Sequence, residues 1–226
     1  MIDNILKQHM PYKVQPSRKS LIGFAVLLYI AILSVVLMVV VSLSVLVGVS
    51  GSSMTNNYHD GDLVLINKFL KNPKIGDVVV LSMAGDGVVF EHDEDIIKRV
   101  IAAAGDTIEF KLNEKEYKDD TGLEHAIVDL YRGKDKDNLE LVTENYIREP
   151  MFLEKFNFSY STSVKIDQPI IIPDGEIFVM GDNRNDSTDS RIIGSIPKAA
   201  LRGVMYLRFE KGTFGEWLFR LIYGFW

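Results

Sequence analysis

The chain has 226 residues, 47% hydrophobic and 25% charged, with a formal net charge of −6 and no cysteine. That length suits one domain with a real core and a small second lobe. The acidic balance lacks the basic face a nucleic-acid partner would need, and the missing cysteine excludes disulfides, thiolate metal sites and a cysteine nucleophile. The histidines, His9, His59, His92 and His125, are scattered, and no two stand four apart as zinc ligands on one helix face do, so no metal or other cofactor is expected.

In chain order, the first feature is the uncharged run from Leu21 to Val49. Roughly 20 apolar helical residues suffice to cross a bilayer, so a transmembrane helix is expected, helical to somewhere near Val45 to Val49. A cleaved secretory signal would have an apolar region of only about 7 to 15 residues. Lys7, Lys13, Arg18 and Lys19 precede the run against a single acid, Asp3, which puts the N-terminus in the cytoplasm and everything after residue 50 outside. The expected division is a cytoplasmic segment over 1–20, a helix over 21–48 in the cell membrane, and an exported domain over 49–226.

The exported part reads as short strands. DLVLI (62–66) and DVVVL (77–81) are β-branched runs after Gly-Asp or Gly turns, and VVF (88–90) follows another glycine. Residues 96–110 fit helix or strand by periodicity; their β-branched residues and the Gly105-Asp106 turn favour strand, turn, strand. From about 111 to 168 the composition turns polar, with KLNEKEYKDD and RGKDKDN as loops or hairpin tips around HAIVDLY and LELVTENYI, which suggests an inserted small β lobe. Strand, turn, strand returns over 169–197, and GVMYLRF (203–209) is a last strand. The aromatic tail 214–226 is expected either at the membrane interface or packed on the domain.

For chemistry, a Ser-His-Asp triad would need His59 or His92, and no spacing selects them. Most carboxylates lie in loops, where a charge run is normally a solvated face. Lys98 stands among Ile96, Ile97, Val100 and Ile101. It either reaches solvent, as lysines usually do, or is desolvated, which lowers its pKa toward that of a general base able to activate a serine.

VSGSSM (49–54), KRVIAAAGD (98–106) and GDNRNDSTDSR (181–191), in this order behind an apolar helix, resemble the boxes of the type I signal peptidases, with GDVV (76–79) as the intervening box. The resemblance implies a mostly β protein: a transmembrane helix followed by a coiled antiparallel, barrel-like catalytic sheet. It implies a serine endopeptidase that removes signal peptides from exported preproteins after small residues, with lipid bilayer, preproteins and the secretion translocon as partners. Ser53, just before Met54, would be the nucleophile and Lys98 the base. Ser187 would hold the lysine amine by a hydrogen bond, Asp189 and Arg191 would pair beside the site, and the Ser53 N–H would serve the oxyanion. A hydroxyl residue stands at position 51 in some members; here it is Gly51, leaving the second oxyanion donor unassigned. The chain also departs from the family at 55–59, where TNNYH replaces a Pro-Thr-Leu pattern, and at Ala102–Ala104. A non-proteolytic assembly factor for surface proteins is the alternative, against which stands the presence of both Ser53 and Lys98.

Overall fold

The computed structural model describes residues 17–83, 95–155 and 164–224. Helix α1, Arg18–Leu43, carries no charge after Lys19, and its Arg18–Val40 stretch is long and apolar enough to cross a bilayer. Ser34 in the helix and Ser42 in its last turn satisfy their hydroxyls within the helix's own ladder, donating to Ile30 O and Met38 O. The apolar run does not stay helical to Val45–Val49 as expected. Its last residues form strand β1, Ser44–Gly48, paired antiparallel with β2, Leu63–Asn67. Hydropathy hid this boundary because a buried β-branched strand and a membrane helix have the same apolar composition. The chain divides at this point into two units, 1–42 and 43–226.

The second unit is mostly β, as expected. Its larger sheet is fully antiparallel and also contains β3 (Val78–Ser82), β4 (Asp95–Ala103), β10 (Glu176–Met180), β11 (Ile196–Pro197) and β12 (Leu201–Phe209), in the order β1-β2-β12-β3-β4-β10-β11. Register shifts leave Tyr206 and Arg202 of β12 and Ile101 of β4 unpaired in these ladders, marking bulges, which bend strands and increase twist. The ambiguous 96–110 segment resolves as strand: β4 ends in a turn in which Asp106 Oδ2 accepts from Ala103 N at 2.9 Å, and β5 follows.

The smaller sheet holds β5 (Thr107–Lys118), β6 (Glu124–Gly133), β7 (Glu140–Leu141), β8 (Met151–Phe152) and β9 (Ile170–Ile171). Of KLNEKEYKDD, expected as a loop or hairpin tip, KLNEKEYK is the exposed end of β5 and the Asp pair opens the turn into β6; its polar side chains suit a strand outside the core, where alternation carries no apolar signal. LELVTENYI forms only the two-residue β7 and then a loop. This sheet, spanning residues 107–171, is the small β lobe expected over about 111–168, and it packs directly on the larger sheet. Phe110, Val128, Leu130 and Met151 share one core cluster with Ile101, Ala102, Phe178 and Met180 of the larger sheet. Ala102, one of the residues departing from the family pattern, is wholly buried there. The VVF strand and His92 lie outside the described residues. The tail forms helix α3, Phe214–Tyr223, capped by Thr213 and amphipathic, with Glu216 buried and Phe214, Trp217 and Leu221 exposed.

Candidate active site

Lys98 sits on β4, opposite Val79 of β3, one residue before the stretch of β4 that pairs with β10 from Arg99 onward. Its side chain is 4% exposed and donates from Nζ to Ser53 Oγ at 2.8 Å and to Ile97 O at 3.1 Å. Burial pushes its pKa below the ordinary lysine value; Asp189 and Asp182 oppose that shift, and Arg191 adds to it. The desolvating surroundings come only in part from the chain neighbours. Ile97 lines the same cleft, but Val47, Val64 and Val80, from β1, β2 and β3, line it too. That cleft, about 600 Å³, is also edged by residues 50–53, Asp95, Asp186, Ser187 and Thr188.

Ser53 lies on the turn after β1. Gly51, at φ +85°, provides the left-handed backbone that the turn needs. Met54 is an anchor: it is 1% exposed in the core, and its sulfur accepts from Asp182 N at 3.3 Å. The 181–184 segment backs the turn, with Asn183 N donating to Ser53 O at 3.0 Å and Asn183 Nδ2 to Ser52 O at 3.2 Å. Gly181 is required by close approach, because a Cβ there would lie 2.5 Å from Ser53 O and 2.3 Å from Ser187 Oγ. Among the described residues no hydrogen bond uses the Ser53 N–H, so that donor is available to a ligand.

Asp189 is wholly buried and caps α2, Ser190–Ile193. It accepts from Arg191 Nε and Nη2, both at 2.8 Å, and from Gly181 N at 2.9 Å. Burial alone would raise its pKa, but Arg191 and the Gly181 N–H hold it below the usual carboxylate value. The expected ion pair is therefore present. The expected hydrogen bond from Ser187 to Lys98 is not. Ser187 Oγ is buried against Gly181 near Asp189 and makes no hydrogen bond of good geometry, while Ser53 and the Ile97 carbonyl take the lysine's donors.

The histidine route fails for the histidines described. His59 is exposed beside Asp62 and Arg208 in a different cleft. His125 stacks on Phe152 and bonds to Asp119 and Glu154. Neither touches a serine hydroxyl. No group of described side chains is suited to a metal.

A family model described as signal peptidase, peptidase S26, matches residues 21–210. This chain belongs to that family. The peptidase is 26% identical to the signal peptidase I of Aquifex aeolicus over 200 residues, 73% of this chain and 75% of the relative. It is 31% identical to that of Bacillus licheniformis over 162 residues, 69% of this chain and 70% of the other. A crystal structure of a signal peptidase I from Enterococcus faecalis covers 60% of this chain and 97% of its own at 22% identity, with a TM-score of 0.34. The activity that comes with membership is the removal of signal peptides.

Sequence reasoning missed the polar network around the peptidase's site. Arg99 pairs with Asp182, and Arg184 with Glu144 at 2.5 and 2.6 Å, the latter two side chains being 2% and 5% exposed. Arg99 and Asp182 lie inside the matched boxes. Glu144 lies in the polar stretch, where nothing in spacing or composition set it apart.

Proposed function

We propose that the peptidase is a membrane-anchored serine endopeptidase working through a Ser53–Lys98 dyad, and that it cuts exported preproteins after small residues. The observation that carries this reading is the 2.8 Å contact between a buried lysine amine and the hydroxyl of a serine on a turn lining the cleft. Burial favours the neutral amine, which is the form that accepts a proton.

In the reaction, Ser53 Oγ attacks the carbonyl carbon of the residue before the cut as its proton passes to Lys98 Nζ. The carbonyl oxygen gains the charge beside the Ser53 N–H. When the C–N bond breaks, Lys98 gives that proton to the leaving amine nitrogen, and an acyl-enzyme remains on Ser53. A water then attacks the ester, losing a proton to Lys98, which passes it to Ser53 Oγ as the acyl C–O bond breaks, freeing the signal peptide's new carboxylate and restoring the free hydroxyl and neutral amine. Asp189 and Arg191 hold the loop from Gly181 to Arg191 that supports the turn.

Substrate binds extended along the cleft, adding a strand beside the sheet, with valines and Ile97 forming shallow apolar walls that favour Ala-like side chains. Helix α1 anchors the enzyme with residues 1–20 in the cytoplasm and 49–226 outside; Ser53 follows that helix after only residues 44–52, which suits a substrate still held in lipid by its own apolar segment. Incubating a purified preprotein with wild type and Ser53→Ala tests the reading. Cleavage by wild type alone is expected, and equal cleavage by both would sink it.

A further inference from the structure

The carboxylate of Asp182, wholly buried, is gripped from two sides. Arg99, next to Lys98 on β4, donates from Nε and Nη2 to its two oxygens at 2.7 and 2.6 Å. From the other side Asn57 Nδ2 reaches Oδ2 at 2.7 Å, and Asn56 Nδ2 bonds the Asp182 carbonyl at 2.7 Å. Asn57 Nδ2 also donates to Tyr146 O at 2.8 Å, and the Tyr146 ring lies 4.1 Å from the Arg99 guanidinium. These bonds link two elements: the strand that carries Lys98, and the turn that carries Ser53, whose Asn57 N and Tyr58 N both bond back to Met54 O.

We infer that Asn57, assisted by Asn56, is a positioning residue for the dyad: it sets the Ser53 turn against the Lys98 strand by holding Asp182 between them. The inference rests on the dyad reading above. Side-chain chemistry explains why an amide stands here. The position faces a carboxylate and a carbonyl, both acceptors, and an amide NH₂ supplies two donors without adding charge to a site where Arg99 already neutralises Asp182. Asp at 57 would set two carboxylates against each other, and Leu would leave both acceptors without those donors. Thus the TNNYH stretch, which departs from the family pattern, contributes the clamp on the substrate cleft's nucleophile turn.

The test uses the full-length enzyme in detergent or vesicles and a purified preprotein with Ala at the first and third positions before the cut. Asn57→Leu is expected to lower kcat by roughly 10- to 100-fold, the scale of a sub-ångström to 1 Å misplacement of reacting groups, with KM changed by less than about threefold. Because Asn57 acts through Asp182, adding Asn57→Leu to an Asp182→Asn background should cost less than about threefold further. Thermal unfolding gives the folded fraction to which kcat is referred, and Asn57→Ser, a milder change, must show the same kcat-specific loss should Asn57→Leu fail to fold. A kcat within about twofold of wild type, or losses that multiply in the double variant, would overturn the role of Asn57. If Ser53→Ala is inert while Asn57→Leu and Asn57→Ser are normal, only this inference fails; if Ser53→Ala is active, the dyad reading itself fails.

Discussion

Gly181→Ala tests how tightly Ser53, the proposed nucleophile, is placed. The added Cβ would sit 2.5 Å from Ser53 O and 2.6 Å from Ser187 Cβ. Non-bonded contacts that close do not occur, and a tight one needs 3.0 to 3.4 Å. The backbone at Ser53 must therefore retreat by roughly 0.5 to 0.9 Å, or the 181–191 loop must move by as much, at an overpacking cost of about 1 to 3 kcal/mol. Neither shift leaves the geometry intact, because Asn183 N and the Met54 sulfur tie the same turn to the same loop. A hydroxyl that moves this far from Lys98 Nζ loses the 2.8 Å contact, and kcat should fall by about 10- to 100-fold. Preprotein cleavage followed on a gel gives kcat, and a thermal melt gives stability; a drop of about 2 to 12 °C is expected for a unit of this size. A Gly181→Ala enzyme with wild-type kcat and melting temperature would refute the argument that backbone contact at Gly181 fixes Ser53.

The remaining expectations concern the lysine and the ion pairs. Activity should rise with pH through a Lys98 pKa below the ordinary lysine value, since the neutral amine is the base in the proposed dyad; a kcat/KM flat from pH 5 to 10 would contradict this. For stability the sign is the same, because the unfolded chain binds the lysine proton more tightly than the folded one. Lys98 therefore makes folding more favourable as pH rises between its folded and unfolded pKa, and Lys98→Met should raise the melting temperature at neutral pH by a few degrees while abolishing cleavage. Glu144→Ala leaves Arg184 buried without its carboxylate and should cost about 3 to 5 kcal/mol in denaturant unfolding, with a loss under 1 kcal/mol counting against it. Lys118→Ala, at an exposed pair with Glu124, should cost no more than about 1 kcal/mol by the same measurement.

Much of the site was legible in the sequence, for uneven reasons. Ser53, Lys98, Asp189 and Arg191 stand in compact motifs, and the structure brings Ser53 to Lys98 and Arg191 to Asp189. Ser187 belongs to the same motif, yet its hydroxyl turns away from the expected bond to Lys98, since a rotamer depends on local packing against Gly181 and leaves no trace in residue order. The clamp of Asn56, Asn57 and Tyr146 on Asp182 joins segments up to 126 residues apart, and hydrogen-bond partners at that separation are set by tertiary approach alone.

The sequence by itself determined the apolar helix and the β-branched strands, because these follow from composition and periodicity, and the resemblance of its boxes to the family pointed to Ser53 and Lys98 as the proposed dyad. Only the tertiary structure decided where the helix stops. Ser44 to Gly48 are as apolar as the span before them, and pairing with Leu63 to Asn67 makes them a strand. Tertiary structure also decided whether Lys98 is solvated. Its chain neighbours allowed either outcome, and the valines brought in by β1, β2 and β3 close the cleft around it, so that the desolvation a basic amine requires comes from residues distant in sequence.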